Sequence, residues 1–222
     1  MAPLGLSLIL FAAAVAGSLL GAVAHKRVLL GISKPVATVM LFAVLGGMPS
    51  DYFGFLMVSA IVLSLAADIA LLADGQEALV VGLALFLVAH LCYGFAFFGM
   101  GPRGWFGVPG LVIFAAASLW LGLRQRRHFD LGLRIPIWAH VLSLSCMMGG
   151  VFSILAGQAL LTLSVMAAVG ATLFYFSQAL LPWARSHRSS GWVQSMTLSL
   201  YFGGQLCLVL AARWGIGDKL LP

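Results

Sequence analysis

Asp68 is a carboxylate set in the apolar run Leu63-Ser64-Leu65-Ala66-Ala67-Asp68-Ile69-Ala70-Leu71-Leu72. An ionisable group in such a run is costly to bury and usually serves a function, such as exchanging a proton, balancing a cation or holding a polar group of a ligand. It lies roughly 9 Å, at helical rise, from the polar stretch that begins at Asp74. Other polar residues interrupt apolar runs elsewhere. Lys34 stands just before Pro35, His90 in the middle of one run, His140 near the start of another, and Gln178 beside Ser177 near the end of a third. Tyr201 and Gln205 are one helical turn apart and share a face. Each also has a structural reading. Asp68 can bond a neighbouring helix, Lys34 can snorkel from a helix end, and His90 and His140 can be packing histidines. Tyr201 can belong to an interfacial belt, and Gln205 can glue two helices. Their convergence in depth is the stronger signal, because it describes a polar cavity.

Several chemistries lack their residues. There is no H-E-x-x-H and no histidine pair at helical spacing, so no metal site is expected. No G-x-S-x-G elbow and no glycine-rich phosphate loop ending in Lys-Ser or Lys-Thr occurs. No cofactor is expected. Cys92, Cys146 and Cys207 all lie in apolar stretches without a C-x-x-C spacing, which reads as small packing residues rather than a disulfide framework.

The elements that must position these residues are helices crossing a bilayer. Of 222 residues, 62% are apolar and only 8% charged, with a mean hydropathy of +1.09. A surface that poor in charge is accepted by lipid and not by water. The fold class expected is all-α, a polytopic transmembrane bundle of about eight helices, with residues 1–222 forming a single integral membrane domain. Apolar runs place the spans at about 4–24, 35–47, 53–73, 78–100, 105–123, 136–156, 159–183 and 193–214. Pro35 and Pro136 are expected at the first turns of the second and sixth, where no amide donor is needed. The 26 glycines suit close helix approach.

The net charge of +6 belongs to helix ends rather than to a nucleic-acid surface, and no nucleic-acid partner is expected. Lys26, Arg27 and Lys34 mark the first connection. Arg124, Arg126, Arg127 and Arg134 mark the fifth, and Arg185 and Arg188 the seventh. The opposite loops carry only Arg103. The basic loops should be cytoplasmic and both termini outside. Ala22-Val23-Ala24 resembles a cleavage site, but its basic residues follow the apolar run instead of preceding it, so a retained first helix is expected.

Along almost the whole chain, ordered motifs resemble the YhhN-like lysoplasmalogenase family of multi-pass membrane proteins. Lys34-Pro35 is similar to its Lys-Pro at the second span, and Ser64 to Leu72 to its aspartate-bearing third span, with Ala67 where the family prefers glycine. Phe86, His90 and Tyr93 are similar to its Phe-x-x-x-His-x-x-Tyr stretch. Gly170-Ala171, Phe174 and Ser177 are similar to its Gly-Ala-x-x-Phe-x-x-Ser stretch, and Tyr201 and Gln205 to its Tyr-x-x-x-Gln. The family usually has a second aspartate after that serine, where this chain has Gln178. An amide cannot exchange a proton as a carboxylate does.

The resemblance implies hydrolysis of the vinyl-ether bond of lysoplasmalogens to a fatty aldehyde and a glycerophospho-base. Such a bond breaks by protonation at carbon, capture of the oxocarbenium-like cation by water, and collapse of the hemiacetal. On this expectation Asp68 takes the acid–base role and Gln178 holds the water or the ether oxygen. Lys34 and Tyr201 engage the lipid phosphate, His90 relays protons, and Tyr93, Ser177 and Gln205 complete the substrate site. The partners implied are a lysophospholipid-like membrane lipid and the bilayer itself, and the expected location is a bacterial inner (plasma) membrane. The competing expectation is a non-catalytic lipid-binding or lipid-moving membrane protein built around the same cavity.

Overall fold

The computed structural model describes residues 4–46, 51–100, 107–125, 130–155, 161–186 and 190–217. These form eight helices, with no strand among the described residues: α1 (Leu4–Val23), α2 (Arg27–Leu45), α3 (Tyr52–Ala70), α4 (Gln76–Met100), α5 (Val108–Gln125), α6 (Leu131–Leu155), α7 (Leu161–Ser186) and α8 (Gly191–Gly217). The chain is an all-helical integral membrane protein, and seven of its helices are long and apolar enough to cross a bilayer. Helix α5 is shorter, but it too must return the chain across the bundle. Gln76, which opens α4, donates to the Asp130 carboxylate just before α6 at 2.7 Å, so α4 and α6 start at the same end. Only α5 lies between the far end of α4 and that start, and its length of about 27 Å nearly matches the hydrocarbon core.

Other ties gather the loops on the same face. Arg27 pairs with Asp74 at 2.7 Å, joining the start of α2 to the α3–α4 connection. A Cβ on Gly191 would lie 2.6 Å from the Ala22 carbonyl, so α8 starts against the end of α1. The connections expected to form one basic face therefore do share a face. Arg103, Arg126, Arg127 and Arg188 lie outside the described residues.

Two helix starts differ from expectation. Helices α2 and α6 begin at Arg27 and Leu131, and hold Pro35 and Pro136 inside. Proline lacks the donor for its i−4 carbonyl, but leaving the helix inside lipid would strand many more backbone groups. The chain stays helical through it. Helix α3 starts at a cap, with Asp51 accepting from the Gly54 amide at 2.9 Å. Helix α2 stops at Gly46, whose φ of 92° is left-handed, and Arg213 donates to the Val44 carbonyl at the helix end at 2.8 Å.

Helices α1, α2, α3, α4, α6, α7 and α8 pack in that order into a closed ring, α8 returning against α1 and reaching α2 and α3. Helix α5 lies outside, on α6 and α7. Ser118 holds it there: its hydroxyl donates to the Val141 carbonyl of α6 at 3.1 Å and meets Tyr175 Oη of α7 at 2.9 Å.

Glycine pairs set the two closest pairings in the ring. Between α4 and α6, a Cβ on Gly150 would collide with the Gly94 carbonyl. Between α7 and α8, a Cβ on Gly204 would lie 2.6 Å from the Phe174 amide and 2.7 Å from the Gly170 carbonyl. Backbone cannot step aside as a side chain can. Gly204→Val is therefore expected to destabilise by about 1–3 kcal/mol or more, seen as a lower melting temperature of the purified protein. A Cβ on Gly203 meets only Leu173 Cδ1 at 3.8 Å, so Gly203→Ala should be nearly neutral.

Candidate functional site

Asp68 is 0% exposed and faces the ring's interior, where two helices supply three donors to it. Lys34 Nζ of α2 lies 2.7 Å from Oδ1. Thr38 of α2 and Tyr201 of α8 donate their hydroxyls to Oδ2 at 2.9 and 2.8 Å. The local sequence makes this possible. Lys34 and Thr38 are one turn apart on α2 and present one face to α3, while Asp68 sits in the last turn of α3, level with them. A carboxylate so surrounded by donors is held as an acceptor, and the ammonium beside it balances its charge. Lys34 also lies over the Tyr201 ring, 5.5 Å from its centroid.

From Tyr201 a column of rings leads deeper into the bundle. Phe86 of α4 meets Tyr201 edge-on at 5.9 Å between centroids and stacks on His90 at 6.0 Å, with 9° between planes. Phe174 of α7 packs against Tyr201, His90 and Tyr93 at 5.5, 5.3 and 5.9 Å. His140 of α6 faces His90, ring centroids 5.1 Å apart. The residues that are three or four apart on α4, Phe86, His90 and Tyr93, form its inward stripe, and all are buried. Counted from the helix starts, Lys34 lies about 10 Å, Tyr201 about 15 Å and His90 about 20 Å in from the face that carries the ties described above.

The expected site residues thus fall into two groups. Asp68, Lys34 and Tyr201 are in direct contact, and His90 and Tyr93 join them through Phe86 and Phe174. The hydroxyl of Ser177 is spent on the Thr197 carbonyl of α8 at 2.9 Å, which ties α7 to α8. Gln178 gives its backbone carbonyl to His140 Nε2 at 3.4 Å, and no hydrogen bond to Asp68 is found for it among the described residues. Among the described residues its side-chain oxygen is buried without a hydrogen-bond partner, as are both amide atoms of Gln205 and His90 Nε2. Buried polar atoms are usually paired, so these atoms have capacity to bond a polar group or water that reached them.

Sequence reasoning missed Thr38 and Ser143. The signal for Thr38 was its spacing of one turn from Lys34. For Ser143 it was the spacing of one turn from His140, a histidine that faces His90 rather than an interface. Among the described residues no three of His, Cys, Asp and Glu come together to hold a metal.

The arrangement can pass protons among an ammonium, a carboxylate and a phenol away from bulk water. It can also offer a fixed negative charge to a cation formed beside it. The family model for the YhhN family matches residues 29–212, which include every residue of this site. Among curated proteins, the lysoplasmalogenase TMEM86B of Mus musculus is 34% identical over 182 residues, covering 82% of this chain and 72% of the relative. The lysoplasmalogenase TMEM86B of Rattus norvegicus is 30% identical over 189 residues, covering 84% and 73%. No solved structure matches. A family match across nearly all of the membrane ring, together with these two relatives, establishes that the chain belongs to the YhhN family.

Proposed function

We propose that this protein is a membrane-embedded hydrolase that cleaves the vinyl-ether bond of lysoplasmalogens. The observation that carries the reading is the buried Asp68 carboxylate, held by Lys34, Thr38 and Tyr201 at the head of an aromatic column. The names of the relatives support the substrate class. Asp68 is the centre of proton exchange. A proton held by its Lys34 and Tyr201 partners passes to the vinyl carbon, and the carboxylate offsets the positive charge that forms. Lys34 uses one of three N–H donors on Asp68 and is 13% exposed at its side chain, so it also has donors left for a lipid phosphate. The apolar tail lies along the ring column, and Gln178 and Gln205 hold water. The face with the ties is cytoplasmic by its excess of lysine and arginine, with both termini outside and a bacterial inner membrane as the setting.

The test is mass spectrometry of lipid products after purified protein meets a 1-alkenyl lysophospholipid. Fatty aldehyde and glycerophospho-base are expected in equal amounts. Intact substrate after long incubation sinks the reading.

Gln178 favours a second reading, since an amide stands where the resemblance implies an acid. A lipid-binding or lipid-moving protein would use the same buried polar residues without breaking a bond. Gln178→Asp separates the two. A hydrolase is expected to gain vinyl-ether cleavage of at least about tenfold with a second proton-exchanging group, which is within the range of general acid–base catalysis. Bound lipid without aldehyde from either form identifies the binder.

A further inference from the structure

Resting on the hydrolase reading, we infer that Ser143 and the His140 carbonyl fix His90 as its Nδ1–H tautomer, so that its bare Nε2 is the base that takes a proton from the attacking water. The geometry is specific about where the protons lie. Ser143, on α6, has one hydroxyl proton and two neighbours. Its oxygen lies 2.6 Å from the His140 carbonyl of its own helix and 3.1 Å from His90 Nδ1 across the α4–α6 interface. A carbonyl only accepts, so the hydroxyl proton must lie in the 2.6 Å contact; otherwise two lone pairs would face each other there. The serine oxygen then has only lone pairs for His90, and Nδ1 must be the donor. A neutral imidazole carries one N–H, which leaves Nε2 with a lone pair.

His90 is fully buried, and among the described residues its Nε2 has no hydrogen-bond partner. Its ring cannot turn away to find one, because Phe86 lies flat on it and Phe174 and His140 flank it. The same Phe174 packs on Tyr201, which donates to Asp68, so the bare nitrogen and the acid cluster border one aromatic column.

The reaction needs such a base at one point. The Asp68 cluster gives a proton to the vinyl carbon and leaves an oxocarbenium ion. Water bonds to that cation's carbon through oxygen and loses one proton to His90 Nε2, forming the hemiacetal. The hemiacetal then breaks its bond to the glycerol oxygen, which takes the proton back from His90, while the hemiacetal hydroxyl proton returns to the Asp68 cluster. One water is consumed, and both groups are restored. His90 is a catalytic residue in this scheme. Ser143 acts through it as a positioning residue.

The experiment uses the full chain with 15N-labelled histidine in lipid nanodiscs, with His90 assigned by difference against His90→Gln. Wild type is expected to show a protonated-type Nδ1 and a bare-type Nε2. Ser143→Ala should lose that single pattern, and Ser143→Thr, which keeps the hydroxyl, should retain it. With a 1-alkenyl glycerophosphoethanolamine as probe, Ser143→Ala should lower kcat about 10–100-fold with KM little changed, and Ser143→Thr should restore most of it. A wild type that releases aldehyde while carrying the proton on Nε2 overturns this inference and leaves the hydrolase standing. So does Ser143→Ala with wild-type kcat. A wild type with the expected tautomer and no aldehyde overturns the hydrolase reading, and the base's assignment falls with it.

Discussion

Asp68→Asn is expected to remove aldehyde release from the purified protein, by at least about a thousandfold. The substitution keeps the volume and an acceptor oxygen for Thr38 and Tyr201, so the ring of helices should assemble. What it removes is the negative charge and the exchangeable proton site. General acid–base catalysis contributes about 10²–10⁴-fold, and a fixed charge aimed at a developing cation adds about 10²–10³. Both roles converge on this side chain, so the loss should exceed that of any of its partners. Tyr201→Phe removes one of two donors to Oδ2 while Thr38 keeps the carboxylate in place, and about a tenfold loss is expected. The measurement is initial aldehyde release from a vinyl-ether lysolipid, at protein levels matched by size-exclusion profile. Wild-type turnover by Asp68→Asn would take Asp68 out of the mechanism, and retained activity in Tyr201→Phe alone would not.

The depth of the polar residues is legible in the sequence, and their partnerships are only partly so. Apolar runs of membrane length must be helices, because lipid leaves no other partner for the backbone. Seven of the eight helices accordingly satisfy the length and apolarity of a span. Asp68, Lys34 and Tyr201 stand out because a charge or phenol inside such a run is conspicuous, and they meet. Pro35 and Pro136 mislead for a physical reason. Proline at a first turn is the habit of helices in water, whereas a helix in lipid is compelled to continue through it. The resemblance puts Gln178 in the site; on α7 it lies one turn beyond Phe174, which packs on Tyr201, and its backbone carbonyl meets His140. Rotation of a helix about its axis is set by its neighbours. Here it is set by the Gly170–Gly204 contact and by Ser177 on Thr197, a pairing that one-dimensional spacing does not encode. Thr38 and Ser143 escape notice because a lone hydroxyl in an apolar helix ordinarily bonds its own backbone. Only the facing helix reveals that Thr38 also meets an acid and Ser143 a histidine.

The ion pair makes a second large prediction, and its direction is unusual because the two partners are not equally trapped. Asp68 is 0% exposed, while the Lys34 side chain is 13% exposed and lies nearer the face of the bundle. If Asp68 loses its charge, Lys34 can extend its flexible stem towards water and recover solvation. If Lys34 loses its charge, Asp68 has nowhere to go, and Thr38 and Tyr201 give it hydrogen bonds but no counter-ion. Breaking a buried pair from the trapped side typically costs about 3–5 kcal/mol. Lys34→Met should therefore lower the melting temperature of the purified protein by much more than Asp68→Asn does. The double variant, with no buried charge left uncompensated, should recover most of the loss even though it remains inactive. A thermodynamic cycle over the four proteins reads the coupling directly. Lys34→Met as stable as wild type, or a double variant as unstable as the sum of the two, would mean that the ammonium does not hold the acid in the folded bundle. In the expected outcome, stability and activity part company in the double variant: the charges at the centre of this bundle serve the reaction, and the fold tolerates them only as a pair.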